Sequence, residues 1–179
     1  MSILIKGGKI VNEGKTFEGN IVIEGEEIKS IVAGPAQTTS GGGDDVVIDA
    51  TGCFVLPGVI DSHVHFREPG LTEKACIETE SRAAAAGGVT TYFDMPNTVP
   101  QTVTIEALED KFSRAEKSSH VNYSFFFGAT NDNTNLFSQL DETRIPGIKL
   151  FIGSSTGNML VDRDEALNRI FSATRLPIM

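Results

Sequence analysis

At 179 residues, with 40% hydrophobic and 22% charged side chains, the chain has the make-up of an ordinary folded protein with room for a sizeable core. Its net charge of -9 argues against a sequence-independent grip on nucleic acid or on an anionic lipid surface. No apolar run is long enough to cross a bilayer, and the stretch Met1 to Lys9 is too short and too interrupted for a signal peptide, so a soluble, cytoplasmic protein is expected. Cys53 and Cys76 have neither zinc-knuckle nor redox-pair spacing, which agrees with a reducing compartment.

Residues 2–56 read as short strands. Ile3 to Ile5 and Ile10-Val11 flank Gly7-Gly8; Asn20 to Ile23 runs into the turn Glu24-Gly25-Glu26, and Ile28 to Val32 returns. This pattern predicts hairpins in a small antiparallel sheet. Ser40 to Asp45 reads as a flexible loop, followed by a strand at Val46 to Ile48. Nothing in this segment carries chemistry, and it is expected to be scaffold.

After Pro57 the rhythm changes to alternating strands and helices. Strands are predicted at Val59 to Phe66, Val89 to Met95, Val121 to Ala129 and Ile148 to Ile152, and Leu176 to Met179 begins a fifth. The third is almost wholly apolar and is expected to be buried on both faces. Helices are predicted at Thr72 to Ala86, capped by Thr72 and stopped by Gly87-Gly88, at Thr104 to Ser118, at Asn135 to Leu140 and at Asp164 to Thr174. Strands separated by helices imply right-handed crossovers and a parallel sheet or barrel, with function gathered after the carboxyl ends of the strands.

The candidate functional residues sit at those ends. Asp61, His63 and His65 share one face of the first strand, and two imidazoles spaced this way suit a divalent ion such as zinc; the alternative is a pair of hydrogen-bonded core histidines. Arg67, at the strand-to-loop junction, suits bidentate recognition of a carboxylate or phosphate, or else an ion pair with Glu68. Asn97 offers a donor and an acceptor for an amide or ureido group, or serves turn geometry between Pro96 and Pro100. Asn131-Asp132-Asn133 reads as a solvated turn. Lys149 is a lone lysine in an apolar strand, so it must snorkel out, pair or lose its charge; a neutral amine can form a carbamate able to bridge two metal ions.

Asp61 to Gly70, with Asp94 to Thr98 and Gly147 to Phe151, resembles dihydroorotase of the amidohydrolase superfamily. The resemblance implies an α/β fold: a small N-terminal β-sandwich segment over residues 1–56, whose remaining strands come from elsewhere, then the first part of a metal-dependent (β/α)8 barrel over residues 57–179. It implies reversible cyclisation of N-carbamoyl-L-aspartate to L-dihydroorotate in pyrimidine biosynthesis, with two zinc ions held by His63, His65 and carboxylated Lys149. Arg67 and Asn97 would bind the substrate carboxylate, and Asp61 would support the metal site from behind. The catalytic aspartate and further histidines of such enzymes have no counterpart before Met179, since the remaining histidine, His120, falls before the third strand. The chain is therefore expected either to continue in a longer enzyme or to be a truncated product inactive alone. Allantoinase and dihydropyrimidinase or hydantoinase are the neighbouring readings, and a non-catalytic scaffold partner is the reading from another class. The expected partners are a small-molecule substrate and, as an admissible assembly, a second copy in a homodimer, with no nucleic acid and no membrane.

Overall fold

The computed structural model describes residues 2–35, 46–154 and 159–179, so the loop expected at Ser40 to Asp45 lies outside the described residues. The chain divides into two compact units, Met1–Pro57 and Gly58–Met179.

In the first unit, β1 (Ser2–Asn12), β2 (Lys15–Glu24) and β3 (Glu27–Ala33) form an antiparallel meander. The first turn is Glu13-Gly14, both at positive φ, which matches the twist of the flanking strands. Gly7-Gly8 does not divide β1 into two strands. It forms an irregularity in one long strand, with the Gly7 amide donating to Oδ1 of buried Asn20 at 3.0 Å. β4 (Val46–Asp49) and β5 (Phe54–Val55) both pair with β1 in parallel, so the sheet is mixed and not the antiparallel one expected. Parallel pairing needs a connection of about a dozen residues, and residues 34–45 provide that length, whereas hairpin reasoning sees only the short turns.

In the second unit, β6 (Val59–Val64), α1 (Ile77–Ala86), β7 (Val89–Asp94), α2 (Ile105–Ser118) and β8 (Asn122–Phe125) follow the predicted alternation. β9 (Phe127–Gly128), a 3-10 helix at Thr134–Gln139, β10 (Ile148–Lys149) and α3 (Asp164–Ala173) continue it. The order β6-β7-β8 is parallel throughout, β9 pairs in parallel with β10, and Ile178 bridges Ile148 in parallel. Only Phe126 separates β8 from β9, and its amide bonds to Asp94 O at 3.1 Å, so five successive chain segments run the same way. All their carboxyl ends therefore lie on one side. The core between these strands and the helices is aromatic: Tyr92, Phe125 and Phe127 are fully buried, and Phe112 meets Phe125 edge to face at 5.0 Å. Phe125 to Ala129 is buried as the apolar run predicts, while Asn122 is exposed.

Several element boundaries differ from the sequence reading: β6 ends at Val64, before His65 and Phe66, and the run Val121 to Ala129 is divided into β8 and β9. α1 begins at Ile77 instead of after Thr72, because a carboxylate oxygen of Glu68 accepts from the Ile77 amide at 3.0 Å and residues 72–74 form a turn. β10 is shorter than Ile148 to Ile152, since Phe151 bridges Leu160. Among the described residues, no helix is long and apolar enough to cross a membrane.

Thr104 caps α2 through its side-chain oxygen, which accepts from Ala107 N at 3.2 Å. Thr104→Ala is expected to cost about 1 kcal/mol of stability, measured by denaturant unfolding. Gly70→Ala should cost much more, because Gly70 has φ +81° and an added Cβ would lie 1.9 Å from Val99 O.

Candidate active site

The carboxyl end of β6 and the loop after it carry most of the predicted residues. His63 and His65 lie on the same side, with ring centroids 5.4 Å apart and planes tilted by 54°. Two imidazoles bound to one tetrahedral ion at about 2.0–2.1 Å would place their centroids about 5 Å apart, so the pair fits adjacent positions on a zinc ion. No hydrogen bond joins the Asp61 carboxylate to either imidazole. Asp61 Oδ1 accepts from the His63 amide at 3.1 Å and shapes the backbone at the strand end.

His65 Nδ1 lies 2.9 Å from Asn97 Oδ1. A carbonyl oxygen only accepts, so Nδ1 carries the proton and Nε2 keeps its lone pair, the state a metal ligand needs. Burial holds the His65 pKa below the usual histidine value, against the opposing pull of the Asn97 bond. Asn97 thus has a task beyond turn geometry, and with its oxygen engaged only its amide NH2 group faces other partners.

Arg67 occupies the left-handed region at φ +68°, costly for a residue with a side chain. The ion pair with Glu68 does not form. Glu68 instead caps Ile77 and lies 3.5 Å from the Arg114 guanidinium, which in turn holds Asp110 at 2.7 Å. Among the described residues, no carboxylate forms an ion pair with Arg67, and its charge opposes protonation of His65.

The residues that sequence reasoning missed lie directly behind this corner. Asp94, at the end of β7, accepts from the Phe66 amide through Oδ1 at 2.9 Å and from Lys111 Nζ through Oδ2 at 2.5 Å. Lys111 also donates to Met95 O at 3.0 Å and sits 4.8 Å from the Phe125 ring centroid. Both side chains are essentially inaccessible to solvent. A signal was present: Lys111 falls on the apolar stripe Leu108, Phe112, Ala115 of α2, where a charge demands a buried partner. Burial pulls the Lys111 pKa down, and the adjacent Asp94 carboxylate opposes it.

Lys149 lies on β10, further along the same parallel series, and no hydrogen bond joins it to either histidine. It is half-buried, its ammonium is 5.0 Å from the Phe151 ring centroid, and burial lowers its pKa, which favours the neutral amine that carbamate formation requires. Among the described residues, no three His, Cys, Asp or Glu side chains group to hold an ion by themselves. The donors present therefore fit part of a metal site: an imidazole pair with one tautomer set, and a lysine with a weakened proton affinity. His120 is exposed before β8, at the opposite end of the strands from His63 and His65.

Asn131 to Asn133 is more than a solvated turn. Buried Asn133 donates to Val103 O at 3.0 Å and Gly128 O at 2.9 Å and accepts from Thr130 N at 2.8 Å, joining the loop after β9 to the start of α2. A cavity of about 560 Å³ opens beside it, lined in part by Thr104, Asn131 and Arg163.

Comparison with known proteins agrees with this arrangement. The Dihydro-orotase-like family model matches residues 52–143. An allantoinase from Bacillus velezensis is 37% identical over 164 residues, covering 91% of this chain and 35% of that protein. An allantoinase from Salmonella paratyphi B is 34% identical over 163 residues, covering 90% and 34%. Among solved structures, L-hydantoinase (dihydropyrimidinase) from Arthrobacter aurescens superposes with a TM-score of 0.85 at 29% identity, over 94% of this chain and 37% of that one. D-hydantoinase (dihydropyrimidinase) from Thermus sp. gives 0.77 at 32% identity, over 96% and 37%. Parallel strands with crossover helices and ligand-type side chains at their carboxyl ends define an α/β protein of amidohydrolase type. The chain belongs to the dihydro-orotase-like family, and it spans about a third of the length of the curated relatives it matches.

Lys111→Met should leave the Asp94 carboxylate buried without its cation and destabilise the protein by about 3–5 kcal/mol, whereas Arg82→Met, which breaks only the exposed pair with Glu78, should leave the denaturation midpoint unchanged.

Proposed function

We propose that this chain is the metal-binding portion of a (β/α)8-barrel cyclic amidase, with L-dihydroorotate and N-carbamoyl-L-aspartate as its substrate pair. Residues 1–56 are then the N-terminal β-sandwich segment, and 57–179 the first part of the barrel. The observation that carries the reading is the corner from His63 to Arg67, where an imidazole pair at metal-sharing distance adjoins an arginine with no carboxylate partner among the described residues. His63 and His65 would hold zinc, with carboxylated Lys149 shared between two ions. Zinc supplies Lewis-acid polarisation of the amide carbonyl and activation of water.

The chain's own residues do the rest. Asn97 keeps His65 in the tautomer whose Nε2 is free, and its remaining NH2 group donates to an acceptor on the ring. Arg67 presents a planar pair of donors suited to a carboxylate. Glu68, held by Ile77 and Arg114, is kept from neutralising Arg67. An uncharged ureide ring is the second reading, favoured by the relatives named allantoinase and hydantoinase.

The test uses the natural protein that contains this chain, purified with its metal, and compares hydrolysis of dihydroorotate, allantoin and hydantoin. Dihydroorotate should be the preferred substrate; preference for allantoin or hydantoin would move the assignment to the second reading, and no turnover of any would favour a non-catalytic relative. Arg67→Met removes a charge-assisted contact worth about 1.5–3 kcal/mol and should lower dihydroorotate turnover about 10-fold to 150-fold, with a far smaller effect on the uncharged rings. Lys149→Ala should lose bound zinc by elemental analysis, and Lys149→Arg should not restore it, because a fixed cation cannot bridge two cations.

A further inference from the structure

We propose that the buried Asp94–Lys111 pair is a positioning unit that sets the spacing between His65 and Asn97 and holds the corner through Arg67; the proposal rests on the reading of that corner as a metal and substrate site. Neither side chain hydrogen-bonds to the His65 ring, so the contacts through which the pair positions it run through backbone. Asp94 Oδ1 takes the Phe66 amide at 2.9 Å, the peptide unit between His65 and Phe66. Through Oδ2 the same carboxylate holds Lys111, which donates to Met95 O at 3.0 Å, two residues before Asn97. One ion pair thus grips both backbone segments that present the His65–Asn97 contact of 2.9 Å. The Met95 amide closes the arrangement by donating to Val64 O at 3.0 Å.

The location explains why charge is used where an apolar pair would pack. A buried ion pair contributes little net stability over a hydrophobic pair of similar volume, because desolvation offsets the Coulomb attraction. A carboxylate carries two acceptor oxygens, and Asp94 uses one for the Phe66 amide and the other for the Lys111 ammonium. The corner also needs restraint. Arg67 is held at φ +68° between Phe66, fixed by Asp94, and Glu68, fixed by the Ile77 amide and Arg114. Without the Phe66 anchor the unfavourable backbone angle could relax, carrying His65 away from Asn97.

Two double variants of the natural protein separate positioning from stability. Asp94→Asn with Lys111→Met is neutral and keeps an oxygen for the Phe66 amide. Asp94→Leu with Lys111→Met is equally neutral and removes that oxygen. Zinc affinity is measured by competition with a chromophoric chelator, and the His65 ring nitrogens are followed by NMR in the metal-free protein. The asparagine variant, which keeps the Phe66 anchor and loses the Lys111 bond to Met95 O, should fall between the parent and the leucine variant in zinc affinity and keep His65 mainly protonated at Nδ1. The leucine variant, with cooperative unfolding intact, should bind zinc about 10–100-fold more weakly and show mixed tautomers. If the leucine variant does not fold, Asp94→Ser with Lys111→Met serves, since the short hydroxyl cannot span to Phe66. Equal affinity and equal tautomer populations in the two double variants would overturn the proposal. A parent protein that binds no zinc would overturn the metal reading instead, and the His65 spectra would still decide whether the pair positions the ring.

Discussion

A charge cannot be buried alone, and much of the second unit follows from that constraint. Lys111 stands on the core-facing side of α2 and Asp94 at the end of β7, and each is tolerable there only because of the other. Their pairing fixes how the amino-terminal half of α2 lies on β7, and the carboxylate's second oxygen reaches across to the chain leaving β6. The apolar contacts around them, Tyr92, Phe112 and Phe125, contribute the larger share of burial but little direction. The ion pair supplies the direction.

The site is built from short-range decisions layered on that anchor. His63 at the end of β6 and His65 just after it lie on one side, the Asn97 carbonyl chooses the proton position on His65, and Glu68 directs its carboxylate to α1 and Arg114 in preference to its neighbour Arg67. Among the described residues, these choices leave the Nε2 lone pair of His65, the NH2 group of Asn97 and the guanidinium of Arg67 without a partner. Family membership and this geometry agree on the kind of chemistry. In the proposed reading, substrate preference rests on Arg67, whose guanidinium has no carboxylate partner among the described residues, while the relatives' names point to uncharged rings.

The first unit shows a different balance. Its sheet is held by the long ladder of β1 with β2, yet Ile28, Val32, Val47 and Phe54 are all more than half exposed. A sheet with that much exposed apolar surface gains less from burial than the aromatic core of the second unit.

The sequence by itself determined the order of elements in the second unit, the placing of His63 and His65 at the carboxyl end of β6, the stop of α1 at Gly87-Gly88 and the start of α2 at Thr104, because alternation, caps and glycine punctuation are local properties. It also marked Arg67, Asn97 and Lys149 as residues out of keeping with their surroundings. Tertiary structure decided what local patterns do not encode. β4 and β5 return to β1 in parallel, α1 starts where the Glu68 carboxylate reaches it, Asp61 accepts from the His63 amide, and Asn133, part of a stretch that reads as a solvated turn, joins the loop after β9 to the start of α2. Above all, the partnership of Asp94 and Lys111, 17 residues apart, becomes visible only in three dimensions. A residue's type says that it needs a partner, but which partner it finds depends on how strands and helices pack.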